Sequence, residues 1–147
     1  MPTTRNIEEG ICNMVFAGSL DANVVLRLLL NDVPEQNAAA VRLVDEQIDS
    51  QLAVADTAIV EVVFVLERYY ELTRAQIAEM IEALLSLGQI NANRALFSKA
   101  LPLFVQNPGL SFEDCCLTTY AELNGAAPLW TFDKTLAKCA RSAKLLV

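Results

Sequence analysis

No histidine occurs anywhere in the chain, so the groups left to do acid–base or metal chemistry are carboxylates, and four of them stand at useful places: Asp21, Glu61, Asp114 and Asp133. Without histidine there is no Ser-His or Cys-His nucleophile, no histidine acid–base pair and no usual catalytic zinc site. An acidic, histidine-free pocket favours hard cations such as Mg²⁺ or Mn²⁺, which take oxygen ligands and keep several waters. Cations of that kind suit phosphodiester hydrolysis. One lowers the pKa of a water to make a nucleophile, and a second, about 4 Å away, stabilises the leaving oxygen.

Each carboxylate also has a plainer reading. Asp21 and Asp133 each close an apolar segment and open a helix, a position beyond a strand end where ligands bind in open α/β sheets. The same position is an N-cap, where aspartate satisfies free amide donors. Asp114 follows Ser111 at the capping-box spacing, yet it shares a helical row with Leu117, Thr118 and Ala121, whereas Glu113 lies off that row. The expectation is a site role for Asp114 and solvent for Glu113. Glu61 interrupts the run Ala58-Ile-Val-Glu-Val-Val-Phe-Val-Leu66. No cap explains it, and a carboxylate in the middle of such a helix should lie near the core, at a cost a cation would offset. The alternative places Glu61 on a narrow polar edge with Glu67 and Arg68.

Lys134, Lys138 and Arg141 recur at i, i+4 and i+7 after Asp133, Lys144 follows, and no acidic residue comes later. This stripe is the candidate RNA-binding surface, able to guide a phosphate backbone despite a formal charge of -7. Read plainly, it is a solvated helix face that complements the helix dipole.

The elements that must position these groups alternate. Residues 14–20 read as a strand ending at Asp21, followed by a helix carrying Val24, Val25, Leu28 and Leu29. A second helix over 35–50 presents Ala38, Val41, Val44 and Ile48, and a third starts at Asp56 or Thr57. Thr73 and Gln76 form a capping box before Ile77, Met80, Ile81, Leu84 and Leu85. Gly88–Asn91 suits a short strand. Pro102 should kink or end the helix that begins near Asn93, and Asn107-Pro108-Gly109 is a turn. Ser111 caps a helix with a core face of Phe112, Cys115, Cys116, Thr119, Tyr120 and Leu123, closed by Asn124 and Gly125. Strand 128–131, helix 133–141 and strand 145–147 complete an α/β pattern with a mainly parallel sheet.

The length of 147 residues suits one domain. With 54% apolar and 20% charged residues, the chain is not disordered and carries more apolar surface than a lone monomer needs, so a partner surface is expected. Cys12, Cys115, Cys116 and Cys139 form no CxxC pair and read as buried free thiols of a cytoplasmic protein. The N-terminus does not resemble a secretory signal, and no apolar run is long enough to span a membrane.

The order Ser19-Leu-Asp-Ala-Asn23, Val60-Glu61-Val62, Phe112-Glu-Asp114 and Thr131-Phe-Asp133-Lys134 resembles the PIN-domain ribonucleases, and especially the VapC-type toxins of toxin–antitoxin pairs, over nearly the whole chain. The resemblance implies a three-layer sandwich with a mainly parallel central sheet flanked by helices. It implies a quartet of Asp21, Glu61, Asp114 and Asp133 that binds Mg²⁺ or Mn²⁺ and cleaves RNA, with Asn23 and Thr131 orienting it. A homodimer and a cognate antitoxin protein follow from the same likeness. Three features depart from the pattern. The first acid comes later than usual, which either an N-terminal extension of residues 1–12 or an early start codon would explain. Phe64 stands where close relatives often carry tryptophan, and Pro102 falls inside an expected helix. Two competing functions are a PIN-like binding module without catalysis and a haloacid-dehalogenase-like phosphatase. The second would require an aspartate two residues after Asp21, where this chain has Asn23.

Overall fold

The computed structural model describes residues 15–147; Cys12, the N-terminal extension and Met14, the expected first strand residue, lie outside the described residues. The chain is α/β, and every strand pair among the described residues is parallel. It divides into two compact units, the first made of residues up to Ile59 with Leu84–Ala92, the second of Val60–Ala83 with Asn93–Val147.

In the first unit, β1 (Val15–Ser19), β2 (Ser50–Ala53) and β3 (Ile90–Asn91) form a sheet in that order. The ladder continues past the ends of the strands: Leu20 N–H donates to the Ala53 carbonyl at 2.9 Å, and Val54 N–H to that of Asn91 at 2.9 Å. Phe16 pairs with Gln51 and Gly18 with Leu52, so Ala17 is an extra residue. Gly18 at φ 144° absorbs this bulge with a backbone conformation that other residues rarely adopt. The bulge stands just before Asp21, where it sets how the strand delivers the chain to the next helix.

That helix, α1 (Ala22–Leu29), buries Ala22, Val25 and Leu26. It packs on α2 (Pro34–Asp45), and Asn37 of α2 ties the pair by donating to the carbonyls of Arg27 at 2.8 Å and Leu30 at 3.3 Å. The sequence pattern carried α2 to residue 50, but the helix stops at Asp45 and residues 50–53 are the middle strand. Gln47 closes the helix by donating to the Leu43 carbonyl at 2.8 Å. Ile48, expected on the apolar face, is 88% exposed, and Val41 is exposed too. Pairing with β1 on one side and β3 on the other outweighs the local helical periodicity.

The chain passes between units within α3 (Asp56–Arg68) and α4 (Arg74–Leu85). Ile59, Val62, Val63 and Leu66 give α3 its buried stripe. The capping box of α4 forms in both directions: Gln76 N–H donates to Thr73 Oγ1 at 3.2 Å, and Thr73 N–H to Gln76 Oε1 at 2.9 Å.

The second unit is built on α5 (Arg94–Gln106) and α6 (Phe112–Leu123). Phe112 is the keystone between them, stacked on Phe97 at 6.0 Å and edge-on to Phe104 at 5.3 Å. Pro102 does not end α5, which continues for another turn. Its ring is exposed, and Asn107 holds the helix end with its backbone N–H on the Leu103 carbonyl at 3.0 Å and its side chain on the same oxygen at 2.9 Å. Tyr120 and Leu123, expected in the core face of α6, are exposed. Gly125 at φ 61° terminates α6 in the left-handed conformation.

A short parallel pair follows, β4 (Leu129–Thr131) and β5 (Ala143–Leu145), joined by α7 (Lys134–Cys139). Both later elements differ from the sequence pattern. Strand β5 begins before residue 145, and α7 ends at Cys139, which leaves Arg141 beyond the helix. Only Lys134 and Lys138 of the basic stripe are helical. Cys139 is exposed, unlike the buried Cys115 and Cys116, so the expectation of buried thiols fails there.

Candidate active site

Asp21 belongs to the first unit. It is exposed and caps α1, its Oδ1 accepting from Val24 N–H at 2.9 Å. With Asn23, Arg27, Gln36, Ala40 and Leu43 it lines an open cleft of about 380 Å³ between α1 and α2. Asn23 thus shares a surface with Asp21, and its own side chain is exposed.

The other three acids belong to the second unit. Asp133 is exposed and caps α7, with Oδ1 accepting from the amides of Thr135 at 2.8 Å and Leu136 at 3.1 Å. Thr131 engages it from behind, its Oγ1 accepting from Asp133 N–H at 2.9 Å. In both aspartates the cap bonds use Oδ1 alone. Asp114 is half-buried and Glu113 exposed. Ser111 Oγ engages Asp114 through its backbone N–H, at 3.1 Å, rather than through its carboxylate. One turn on, Thr118 is 2% exposed, and among the described residues its hydroxyl has no hydrogen-bond partner.

Glu61 departs from expectation. It is exposed, and so are Phe64 and Arg68, which follow it at i+3 and i+7. The outward face of α3 is therefore partly apolar, and Glu61 sits on it without any burial cost. The edge reading of this residue is closer to the structure, with Phe64 rather than Glu67 as its neighbour along the helix.

Among the described residues, no group of three or more His, Cys, Asp or Glu side chains stands close enough to hold a metal ion. The donor types fit a hard divalent cation, since all four are carboxylates. Within the second unit, Glu61, Asp114 and Asp133 do not form such a group.

A family model for the PIN domain matches residues 19–142, a stretch that holds Asp21, Glu61, Asp114 and Asp133. The chain is a PIN domain. No curated protein matches it. PIN domains are a nuclease family, generally dependent on divalent metal ions and acting on RNA. No helix among the described residues of this PIN domain is long and apolar enough to cross a membrane.

The sequence pattern did not mark Arg74 of this PIN domain. Its guanidinium donates to three carbonyls, Phe104 at 2.8 Å, Asn107 at 3.0 Å and Leu110 at 2.7 Å, and to Glu67 Oε2 at 3.0 Å. It also lies 4.1 Å from the centre of the Phe104 ring. Through these contacts it fixes the turn that delivers Ser111 and Asp114. Its only signal in the sequence is a basic residue at the first position of α4, where the helix dipole disfavours a cation.

Burial pushes the Cys115 thiol up from 9.0 to about 11; the Arg74 charge works against the rise and the Asp114 charge adds to it. A thiol that resists ionisation more in the folded than in the unfolded state contributes stability that is complete below pH 9 and is lost as pH rises through about 11. Cys115→Ala should therefore flatten the decline in stability over that range by about 2 kcal/mol. Urea unfolding at pH 8 and pH 10.5 checks this, and a decline of equal size in the variant would refute it.

Proposed function

We propose that this PIN domain is a metal-dependent endoribonuclease that hydrolyses RNA phosphodiester bonds, with Asp21, Glu61, Asp114 and Asp133 as its catalytic and metal-holding carboxylates. The observation that carries this reading is a family match across one stretch that includes all four acids. The quartet would hold Mg²⁺ or Mn²⁺, and a cation bound there supplies Lewis acidity for the hydrolysis. Asp21 and Asp133 are fixed by their caps through one oxygen each, which leaves the other oxygen for a ligand. Asn23 and Thr131 orient the aspartates beside them, and Lys134, Lys138 and Arg141 attract the RNA backbone. We read the stretch that the family match spans, residues 19–142, as one nuclease domain.

In the cell, we assign it to the cytoplasm as the toxin of a toxin–antitoxin pair, acting as a homodimer that a cognate antitoxin protein covers. Exposed apolar side chains such as Ile48 and Tyr69, each at least 75% exposed, support partner surfaces of this kind.

Purified protein incubated with RNA and Mn²⁺ should cleave it, and cleavage should stop in excess EDTA and in Asp21→Ala. Cleavage that survives either would overturn the proposal. A second reading, a PIN module without catalysis, draws on the absence of a three-ligand cluster among the described residues. Calorimetric Mn²⁺ titration separates the two, because a silent module shows no heat that depends on Glu61 and Asp114.

A further inference from the structure

The segment after α6 combines cations with exposed aromatic rings. Trp130 on β4 pairs in register with Lys144 on β5, and the Lys144 ammonium lies 5.4 Å from the centre of the indole ring. Trp130 is 54% exposed and Phe132, two residues on, is 78% exposed. A tryptophan with so much of its ring open on a strand is unusual for a side chain that gains most by burial. Beside this pair runs an open groove of about 650 Å³ lined by Arg141, Lys144, Ser142, Pro128 and Glu122. Its one carboxylate, Glu122, accepts a hydrogen bond from the Ser142 hydroxyl. The two cations outnumber it, and Lys134 and Lys138 extend the positive field along α7.

Basic groups spaced along a groove, with an aromatic face beside them, suit a single nucleic-acid strand, whose phosphates follow the charges while an unpaired base stacks on the ring. Lysine is depleted where proteins meet proteins, and here Lys144 lies against the exposed ring with Lys134 and Lys138 nearby on α7. We propose that Trp130 is the stacking platform for one unpaired base of single-stranded RNA, and that Arg141 and Lys144 hold the phosphates on either side of it. The proposal rests on RNA being the substrate and makes that substrate single-stranded at this point. A duplex keeps its bases stacked on one another and offers none to the indole.

Trp130 is the only tryptophan in the chain, so its fluorescence reports the contact directly. The test uses the full chain in EDTA, where cleavage is not at issue, with a fluorescein-labelled uridine-rich 12-mer and a duplex of equal length. The 12-mer should quench Trp130 emission saturably, and its affinity by anisotropy should fall about tenfold in Trp130→Ala but only slightly in Trp130→Phe. Duplex affinity should not change. Arg141→Gln and Lys144→Gln should each flatten the dependence of log affinity on log salt by about 0.7. Should Trp130→Ala fail to fold, judged by circular dichroism, the quenching of the natural protein and the Gln variants still decide. Binding without quenching, or equal affinity in Trp130→Ala, overturns the proposal. So does a change in sedimentation of Trp130→Ala with RNA affinity intact, which would make the patch a protein contact. A protein that binds the 12-mer through Trp130 but cleaves nothing in Mn²⁺ refutes the nuclease reading alone.

Discussion

Glu61→Gln should lower the rate of RNA cleavage at least about 100-fold, the scale on which losing a group that holds or tunes a catalytic metal is felt. The same change should move stability by no more than about 0.5 kcal/mol, because Glu61 is exposed while Ile59, Val62, Val63 and Leu66 carry the packing of α3. Had the carboxylate been buried, the variant would have altered folding and chemistry together. Its place on the outer face makes them separable. Glu67, the other acid of α3 near its end, is the control: it pairs with Arg74 at 3.0 Å, so Glu67→Gln should cost about 0–1 kcal/mol and leave the rate alone. Initial rates on labelled RNA in Mn²⁺, with urea unfolding of the same samples, measure both quantities. A Glu61→Gln protein that cleaves at the natural rate would remove this residue from the site.

Arg74→Ala should destabilise the fold by about 3 kcal/mol, since it strips charge-assisted hydrogen bonds from three carbonyls of the α5–α6 turn at once. The residue also gives up its place over the Phe104 ring. Arg74→Lys should recover less than half of the loss. The guanidinium meets the three carbonyls through Nη1 and Glu67 through Nε, and the single nitrogen of an ammonium cannot serve both places at once. Urea unfolding measures both variants. A lysine variant as stable as the natural protein would mean that charge alone, and not the geometry of the guanidinium, holds the turn.

What the sequence could and could not disclose follows from the range of the interactions. The capping box at Thr73 and Gln76, the caps at Asp21, Ser111 and Asp133, and the stop at Gly125 are set by neighbours a few residues apart, and all form as the pattern predicts. Strand β2 was hidden because its partners lie more than 30 residues away on both sides, while its own residues continue a helical rhythm. The exposure of Glu61 was hidden for a related reason. An apolar run does not say which of its members faces outward, and Phe64 shares that side. Arg74 could not be recognised because its acceptors are backbone oxygens about 30 residues on, a group every residue possesses. Of the candidate site, residue types were legible, and so was the order that the family match spans.

The first unit is interrupted in sequence: β3 returns to it only at Ile90–Asn91, after the chain has left through α3 and come back through α4. During synthesis β1 and β2 can pair early, but the strand that covers the far side of β2 is still inside the ribosome when residue 60 leaves it. At about 5–20 residues per second, the interval lasts some seconds, with one edge of β2 open to any extended chain nearby. Leu52 and Val54, buried in the finished protein, are then in reach of wrong partners. A delay between the emergence of β2 and that of β3 would lengthen the time for which this edge stays open.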